Sequence, residues 1–270
     1  AKKLQCPILT ESTIDHPNTI SGFAGFLRNE ELRNNLQPDL ILRFGFQPTG
    51  KSLELGLRDW QPQNHYHFAS TDAWQDATYS GAIRIPWMGQ PLRFEKITPT
   101  TDNDWLKQWE TAEESFETYR NEVIKSSSAL TDGAIYDHLT PQLSNDHFMM
   151  VSNSFPARDI SLFGRHASSV STYLNRGVSG IDGINSTAIG LSLAQNRPGV
   201  LFTGDLAFLH DTNALLNAEK LKQPLAIVII NNAGGSIFRM LPIEDYDEHF
   251  QDYFETPQSA NIQQMARSYD

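Results

Sequence analysis

The chain has 270 residues, enough for two cores, and its 39% hydrophobic and 20% charged residues are the composition of a globular protein. Its 32 acidic against 21 basic residues give a net charge of −11, the wrong sign for tracking a phosphate backbone, so nucleic acid is not an expected partner. The longest apolar run, Leu225 to Ile230, is far too short for a helix to cross a bilayer, and no membrane span is expected.

The first residues, AKKLQCPILTES, carry two lysines, but Gln5 and Pro7 break the apolar stretch that a secretion signal needs, so a strand is expected there. Cys6, the single cysteine, has no partner for an internal disulfide, which suits a reducing, cytoplasmic setting and the role of a small buried hydrophobe. Short apolar strands then alternate with helical stretches. PILTES precedes GFAGFLRNEELRNNL, DLILRFG precedes SLELGLRDW, and HFMMVSNS precedes ARDISLFG. STYLN follows, then GVLFTGD with a helix running to Lys222, and LAIVIINN. This alternation predicts an α/β chain of two doubly wound domains, each a parallel sheet covered by helices on both faces.

Between the two series, Trp105, Trp109, Ala112, Phe116, Tyr119 and Val123 step by four and three residues. They predict one helix with a core-facing stripe and a solvated acidic face bearing Glu110, Glu113, Glu114 and Glu117. The small polar run KSSSALTDG comes next and places the domain boundary near Lys125 to Ser128, giving domains of residues 1–125 and 126–270. The closing stretch SANIQQMARSYD stops where another strand is due, so the second domain is expected to be incomplete.

Gly45 to Ser52, GFQPTGKS, matches the phosphate loop G-x-x-x-x-G-K-[ST] and lies between a strand and a helix. Three features weigh against nucleotide hydrolysis. Pro48 removes one N–H from a loop that must donate several. The stretch YHFASTD, interrupted by His67 and Ser70, is a poor strand for a metal-binding aspartate. The motif also follows the second strand of its domain instead of opening it. Lys51 then remains a cation at a strand's C-terminal end, where α/β sheets place their sites. His65 and His67 alternate on one strand without a third ligand, and an exposed strand face is their expected place.

Asp205 follows the strand GVLFTGD and Asn232 ends LAIVIINN, so adjacent parallel strands would bring both to one sheet edge. Magnesium takes six hard oxygens and usually only one or two carboxylates. The Asp205 carboxylate, the Asn232 amide oxygen and the Gly234 carbonyl would supply three, with diphosphate and water supplying the rest. Gly204, Gly234 and Gly235 would let the backbone approach an anion closely, and a helix beginning after Leu206 would point its N-terminus at it. Singly, each of these residues also makes an ordinary turn; the spacing of GD and NN around one helix carries the signal.

The motifs SNSFPARD, NRGVSGIDGINSTAIG, GDLAFLHDTNALL and INNAGGSIFRMLP resemble the 2-succinyl-5-enolpyruvyl-6-hydroxy-3-cyclohexene-1-carboxylate synthase family, known as MenD, and the likeness extends over nearly the whole chain. Most thiamine enzymes read GDG where this chain reads GDL, so Leu206 favours that branch. The resemblance implies a thiamine-diphosphate and Mg2+ enzyme, with Mn2+ as an alternative ion, that decarboxylates 2-oxoglutarate and adds the succinyl carbanion to isochorismate in menaquinone or phylloquinone biosynthesis.

By the same resemblance, Lys51, Ser154, Arg158 and Arg176 line the substrate pocket, with Ile237, Phe238 and Leu241 as its apolar wall. Ile181, within SGIDG, supports the bent cofactor; Gly204, Asp205, Leu206, Ala207, Asn232 and Gly234 bind it, and Asp205, Asn232 and Gly234 hold the metal. Residues 1–125 resemble the family's central domain and 126–270 its diphosphate-binding domain. The pyrimidine-binding domain, whose glutamate activates the cofactor across a subunit interface, has no counterpart here. A homo-oligomer, dimer or tetramer, is implied, and the chain alone is expected not to turn over. Another thiamine-dependent decarboxylase or acetohydroxyacid-type synthase, or a cofactor-binding fragment without activity, are the other readings.

Overall fold

The computed structural model describes residues 5–11, 18–46, 49–71, 76, 78–91, 104–164 and 169–269. Two compact units divide after Thr131: Ala1–Thr131 and Asp132–Asp270. Every strand pairing is parallel and helices follow the strands, so the fold class is α/β.

In the first unit the expected opening strand shrinks to β1 (Ile8–Leu9), which pairs with β2 (Thr19–Ile20). The helix expected over GFAGFLRNEELRNNL divides into α1 (Phe23–Phe26) and α2 (Glu30–Asn35). Asn29 makes the division, because its side chain accepts the Leu32 N–H at 2.9 Å and caps a new helix. A three-stranded sheet follows in chain order, β3 (Leu40–Phe44), β4 (Asn64–Ala69) and β5 (Ile83–Pro86), with α3 (Lys51–Asp59) between the first two.

The weak strand candidate around His67 is thus the central strand β4, and its histidines are not on an exposed face. His65 and His67 are 5% and 4% exposed. Register places His67 between Arg43 and Arg84, so a row of polar side chains crosses the sheet under cover. Asp76 is buried beside Arg43 at 3.4 Å, and His67 Nε2 lies 2.7 Å from the Gly45 carbonyl, so that its N–H donates. Burial, and then the Arg43 charge, hold the His65 imidazole below its usual range. The alternation of polar residues on β4 therefore marks a polar layer of the interior, with Asp76 pairing Arg43.

Helix α4 (Asp104–Ser126) forms as expected, but its buried face turns. Trp109 and Ala112 are buried, with Trp109 edge-on to Phe26, Trp60 and Trp105, whereas Tyr119 is 66% and Val123 45% exposed. A stripe spaced at 3.5 residues drifts about 20° per heptad on a straight helix, so its later members rotate outward. Arg120 comes inward instead, 2.8 Å from Glu117. Glu113, assigned to the solvated face, accepts the Ser21 and Gly22 N–H groups at 3.0 and 2.7 Å and thereby caps α1.

The second unit begins with α5 (Asp132–Leu139) and contains a four-stranded sheet. Its strands are β6 (Phe148–Val151), β7 (Ser171–Leu174), β8 (Gly199–Gly204) and β9 (Leu225–Ile230), in the spatial order β7-β6-β8-β9. Helices α6 (Phe155–Phe163), α7 (Ile184–Gln195) and α8 (Asp205–His210) connect them. All four residues of β6 are 0% exposed, as a central strand covered on both faces requires. Met149 and Val151 pack with Tyr136, Val200 and Phe202 on one face, and Phe148 and Met150 pack with Ile184, Ala188 and Leu201 on the other. The two-residue period of the strand thus builds two cores from one tetrapeptide.

The helix expected to reach Lys222 stops at His210 and continues as a 3-10 helix over Thr212–Lys220. Asp211 leaves the α-helical path to accept the Ser186 N–H at 2.7 Å and its hydroxyl at 3.0 Å. Asn185, fully buried, donates to the carbonyls of Phe208 and Asp211 at 2.9 Å each. The start of α7 therefore fixes the end of α8.

Candidate cofactor and substrate site

Because all four strands of the second sheet are parallel, the residues that follow them emerge at one edge. The chain leaves β6 toward β7, crosses back over β6 to β8, and then continues outward to β9. The connections after β6 and β8 consequently diverge, opening the crevice where α/β sheets bind ligands. Asn153 and Ser154 stand on one side of it and Asp205 on the other, with Asn175 and Arg176 beyond β7 and Asn231 and Asn232 beyond β9.

Asp205 is 3% exposed. Its Oδ1 accepts the Leu206 N–H at 2.8 Å, and its Oδ2 is buried with no hydrogen-bond partner among the described residues. A buried carboxylate oxygen left without a donor is costly unless a cation meets it. A side chain at Gly204 would meet open space. Register sets Gly204 against Ile230, so Asp205 lies level with the start of the Asn231–Asn232 turn. Asn232 is exposed, and Gly234 is buried at φ 142°, a conformation that L side chains rarely adopt. Of Gly204, Gly234 and Gly235, only Gly234 has a positive φ; Gly204 (φ −79°) and Gly235 (φ −81°) do not. The helix expected after Leu206 begins two residues earlier, at Asp205, and has six residues, too few for a sizeable N-terminal field. Leu206 is half-buried and Ala207 lies in the core under α7.

Across the crevice, Arg158 Nη1 donates to the Ser154 carbonyl at 2.8 Å. Ser154 holds φ 72° and ψ −137°, a strained geometry for a residue with a Cβ, worth on the order of 1–3 kcal/mol. Ser179 (φ 61°) and Ala233 (φ 64°) are likewise in the left-handed region, so backbone strain gathers along this edge. Asn153, 2% exposed, reaches from β6 to the loop after β7: its Nδ2 donates to the carbonyls of Asn175 (2.8 Å) and Gly180 (2.6 Å). Its Oδ1 accepts from Arg176 Nη1 at 3.1 Å. That loop encloses a polar depression of about 260 Å3 lined by Asn175, Gly180 and Asp182. Ile181 packs from it onto the α7 core.

Ile237 and Phe238 lie on a 3-10 turn, Ser236–Met240, half-buried, and Leu241 behind them is 51% exposed. Phe238 meets Phe254 edge-on at 5.8 Å. Lys51 belongs to the first unit, where it starts α3, is exposed, and pairs with Glu54 at 2.6 Å. In the phosphate-loop match, Gln47 and Pro48 lie outside the described residues. Its remaining groups are otherwise engaged: the Thr49 and Gly50 N–H groups donate to Glu11 at 2.7 and 2.6 Å, and the buried Ser52 hydroxyl donates to the Ala24 carbonyl. Cys6 is half-buried, and burial pushes its thiol above its usual range.

The sequence reading missed Asn153, an unremarkable polar residue after a strand, and Asp159, one position beyond Arg158. Asp159 is 6% exposed, and its Oδ2 has no partner among the described residues. Burial, and then the Asp132 charge, push its pKa up to about 8 against the opposing pull of Arg158. A folded pKa above the unfolded one contributes stability that is complete below about pH 4 and is lost as pH rises toward 8. Asp159→Asn, uncharged at every pH, is expected to melt above the parent at about pH 8 and to flatten the melting temperature against pH. Melting curves that decline in parallel for both proteins would sink this assignment.

Residues 162–270 match the family described as thiamine pyrophosphate enzyme, C-terminal TPP binding domain. With the parallel sheet and its ligand crevice, this match makes the second unit the cofactor-binding domain of a thiamine-diphosphate enzyme. The chain is 34% identical over 283 residues to the 2-succinyl-5-enolpyruvyl-6-hydroxy-3-cyclohexene-1-carboxylate synthase of Bacillus velezensis, covering 100% of this chain and 48% of that protein. The synthases of the same name from Rippkaea orientalis and Synechococcus elongatus are 32% and 35% identical, covering 98% and 94% of this chain and 47% and 44% of theirs. Over nearly its whole length the chain is similar to this synthase family, and it spans about half the length of the curated relatives it matches.

Proposed function

We propose that this chain is the cofactor-anchoring part of a thiamine-diphosphate and Mg2+-dependent synthase that decarboxylates 2-oxoglutarate and joins the succinyl unit to isochorismate on the way to menaquinone or phylloquinone. The observation that carries the proposal is Asp205, whose buried Oδ2 has no partner among the described residues at the crevice of a domain that matches the thiamine-diphosphate-binding family. Magnesium suits this donor set, a single carboxylate beside an amide and a carbonyl oxygen, because it completes its shell with phosphate and water. Asp205, Asn232 and the Gly234 carbonyl would hold the ion; Gly204, Leu206 and Ala207 would flank the diphosphate, and Ile181 would support the rings.

Thiamine diphosphate, when bound, supplies the electron sink for loss of CO2 from a 2-oxoacid. The chain's own part is to bind anions and exclude water. Arg158, Arg176 and Lys51 supply cations in an otherwise acidic protein, and a guanidinium binds a carboxylate bidentately. Ser154 adds a hydroxyl, while Ile237, Phe238 and Leu241 wall the pocket. In this reading the activating glutamate comes from a pyrimidine-binding domain of a partner subunit, within a cytoplasmic dimer or tetramer.

Titration of the 270-residue chain with thiamine diphosphate is expected to show binding that requires Mg2+, with Mn2+ able to replace it. No carboligation product is expected from this chain alone. Assembled with a pyrimidine-binding domain, it is expected to use 2-oxoglutarate and not pyruvate as donor. Cofactor binding that ignores the metal, or a preference for pyruvate, overturns the proposal.

A further inference from the structure

The substrate reading singles out Arg176 but not what aims it. Arg176 lies just past the edge strand β7, in a loop that carries the exposed Gly177 and Val178 and the positive-φ Ser179. Left to itself, such a loop would spread a guanidinium over many rotamers. Asn153 prevents this from the centre of the sheet: it is 2% exposed and spends both amide N–H groups on the loop, one at Asn175 and one at Gly180. These bonds bracket Arg176, whose Nη1 donates to the remaining amide oxygen at 3.1 Å. A second anchor holds the same loop to α7, where Asn175 Nδ2 donates to Thr187 Oγ1 at 3.1 Å and that hydroxyl donates to the Gly183 carbonyl at 2.7 Å.

The choice of an amide matters. An aspartate at 153 would have no N–H for the two carbonyls and would pair its charge with Arg176. A hydrophobic residue would take away the partner of two carbonyls and a guanidinium nitrogen in a half-buried place. Asparagine satisfies all three groups and leaves the positive charge uncancelled for an incoming carboxylate. It also lies in the turn after β6, next to Ser154, whose carbonyl holds Arg158, so one residue joins the supports of both arginines.

We infer that Asn153 is a positioning residue that aims Arg176 at the substrate carboxylate without neutralising it, and that clamps the Asn175–Gly180 loop. The inference rests on the proposed role of Arg176 as a carboxylate binder. Its test is calorimetric titration of the chain, saturated with thiamine diphosphate and Mg2+, with 2-oxoglutarate, for the parent, Asn153→Asp, Asn153→Ser and Arg176→Lys. Asn153→Asp is expected to weaken 2-oxoglutarate by about tenfold or more, comparable to Arg176→Lys, because a charged hydrogen bond is lost. Cofactor affinity should stay within about threefold of the parent, since Asp205 is untouched. Asn153→Ser, neutral but too short to span the loop, should speed amide exchange at residues 175–180 while β8 stays protected.

A parent that binds cofactor but not 2-oxoglutarate refutes the substrate reading and this inference with it. A parent that binds 2-oxoglutarate, with both Asn153 variants unchanged, overturns the inference alone. Equal losses of cofactor, substrate and melting temperature would reduce Asn153 to a merely structural residue and also overturn it.

Discussion

Asp205→Asn is expected to raise the melting temperature of the cofactor-free protein and at the same time abolish its stabilisation by thiamine diphosphate with Mg2+. The two effects share one cause. In the parent, Oδ2 is buried with no partner among the described residues, a desolvation penalty that the fold carries until a cation arrives. The amide keeps the acceptor for the Leu206 N–H, now at 2.8 Å, and removes the charge. A ligand that binds only the folded state at about 100 times its Kd adds roughly 2.7 kcal/mol of stability. That increment should vanish in the variant, with cofactor affinity falling by about a hundredfold or more once the only carboxylate of the donor set is gone. Thermal melts of both proteins, with and without Mg2+ and cofactor, measure the two effects together. An unchanged cofactor-induced shift would falsify the metal assignment, whereas an unchanged cofactor-free melting temperature would show that Oδ2 is already satisfied.

Gly234→Val should be the more damaging change to the fold. Two independent obstacles meet at this position. Its φ of 142° lies where a β-branched residue is strained by on the order of 1–3 kcal/mol. A Cβ there would also strike the Glu255 carbonyl oxygen, with Pro257 Cα 3.3 Å away. That carbonyl accepts the Gly235 N–H at 2.6 Å, and Arg239 grips the Glu255 carboxylate at 2.5 and 2.7 Å. Opening a space for the side chain means prising the 250–257 segment from the loop that carries Asn232. A loss of roughly 3 kcal/mol or more in urea unfolding is expected, together with loss of Mg2+-dependent cofactor binding. Glu255→Gln is the control: it weakens the Arg239 grip without adding volume, and should leave most cofactor affinity intact. A Gly234→Val protein as stable as the parent would mean that the loop has room the structure does not show.

The fold class and the strands of the second sheet were legible because central parallel strands bury both faces and read as uninterrupted apolar runs, FMMV of β6 and VLF of β8 above all. The GD and NN pair was legible because parallel topology converts sequence spacing into a shared edge. The first unit was harder to read. His65 and His67 look like exposed positions on β4 until the fold buries both and register aligns His67 with Arg43 and Arg84, with Asp76 buried beside Arg43. Glu113 looks like one acid among four until it is seen capping α1, about ninety positions earlier in the chain.

The sequence by itself determined the alternating α/β order and which residues follow the strands of the second sheet, Asp205 and Asn232 among them, since these follow from residue type and local period. Only the tertiary structure decided which helix ends where and which polar groups are spoken for. Asp211 stops α8 to reach Ser186, Glu11 takes the amides of the phosphate-loop match, and Asn153 ties three chain segments at one amide. The physical reason is the same in each case. A hydrogen bond between residues far apart in sequence forms only once the sheet has closed the distance, and a buried polar group has no choice but to find such a partner.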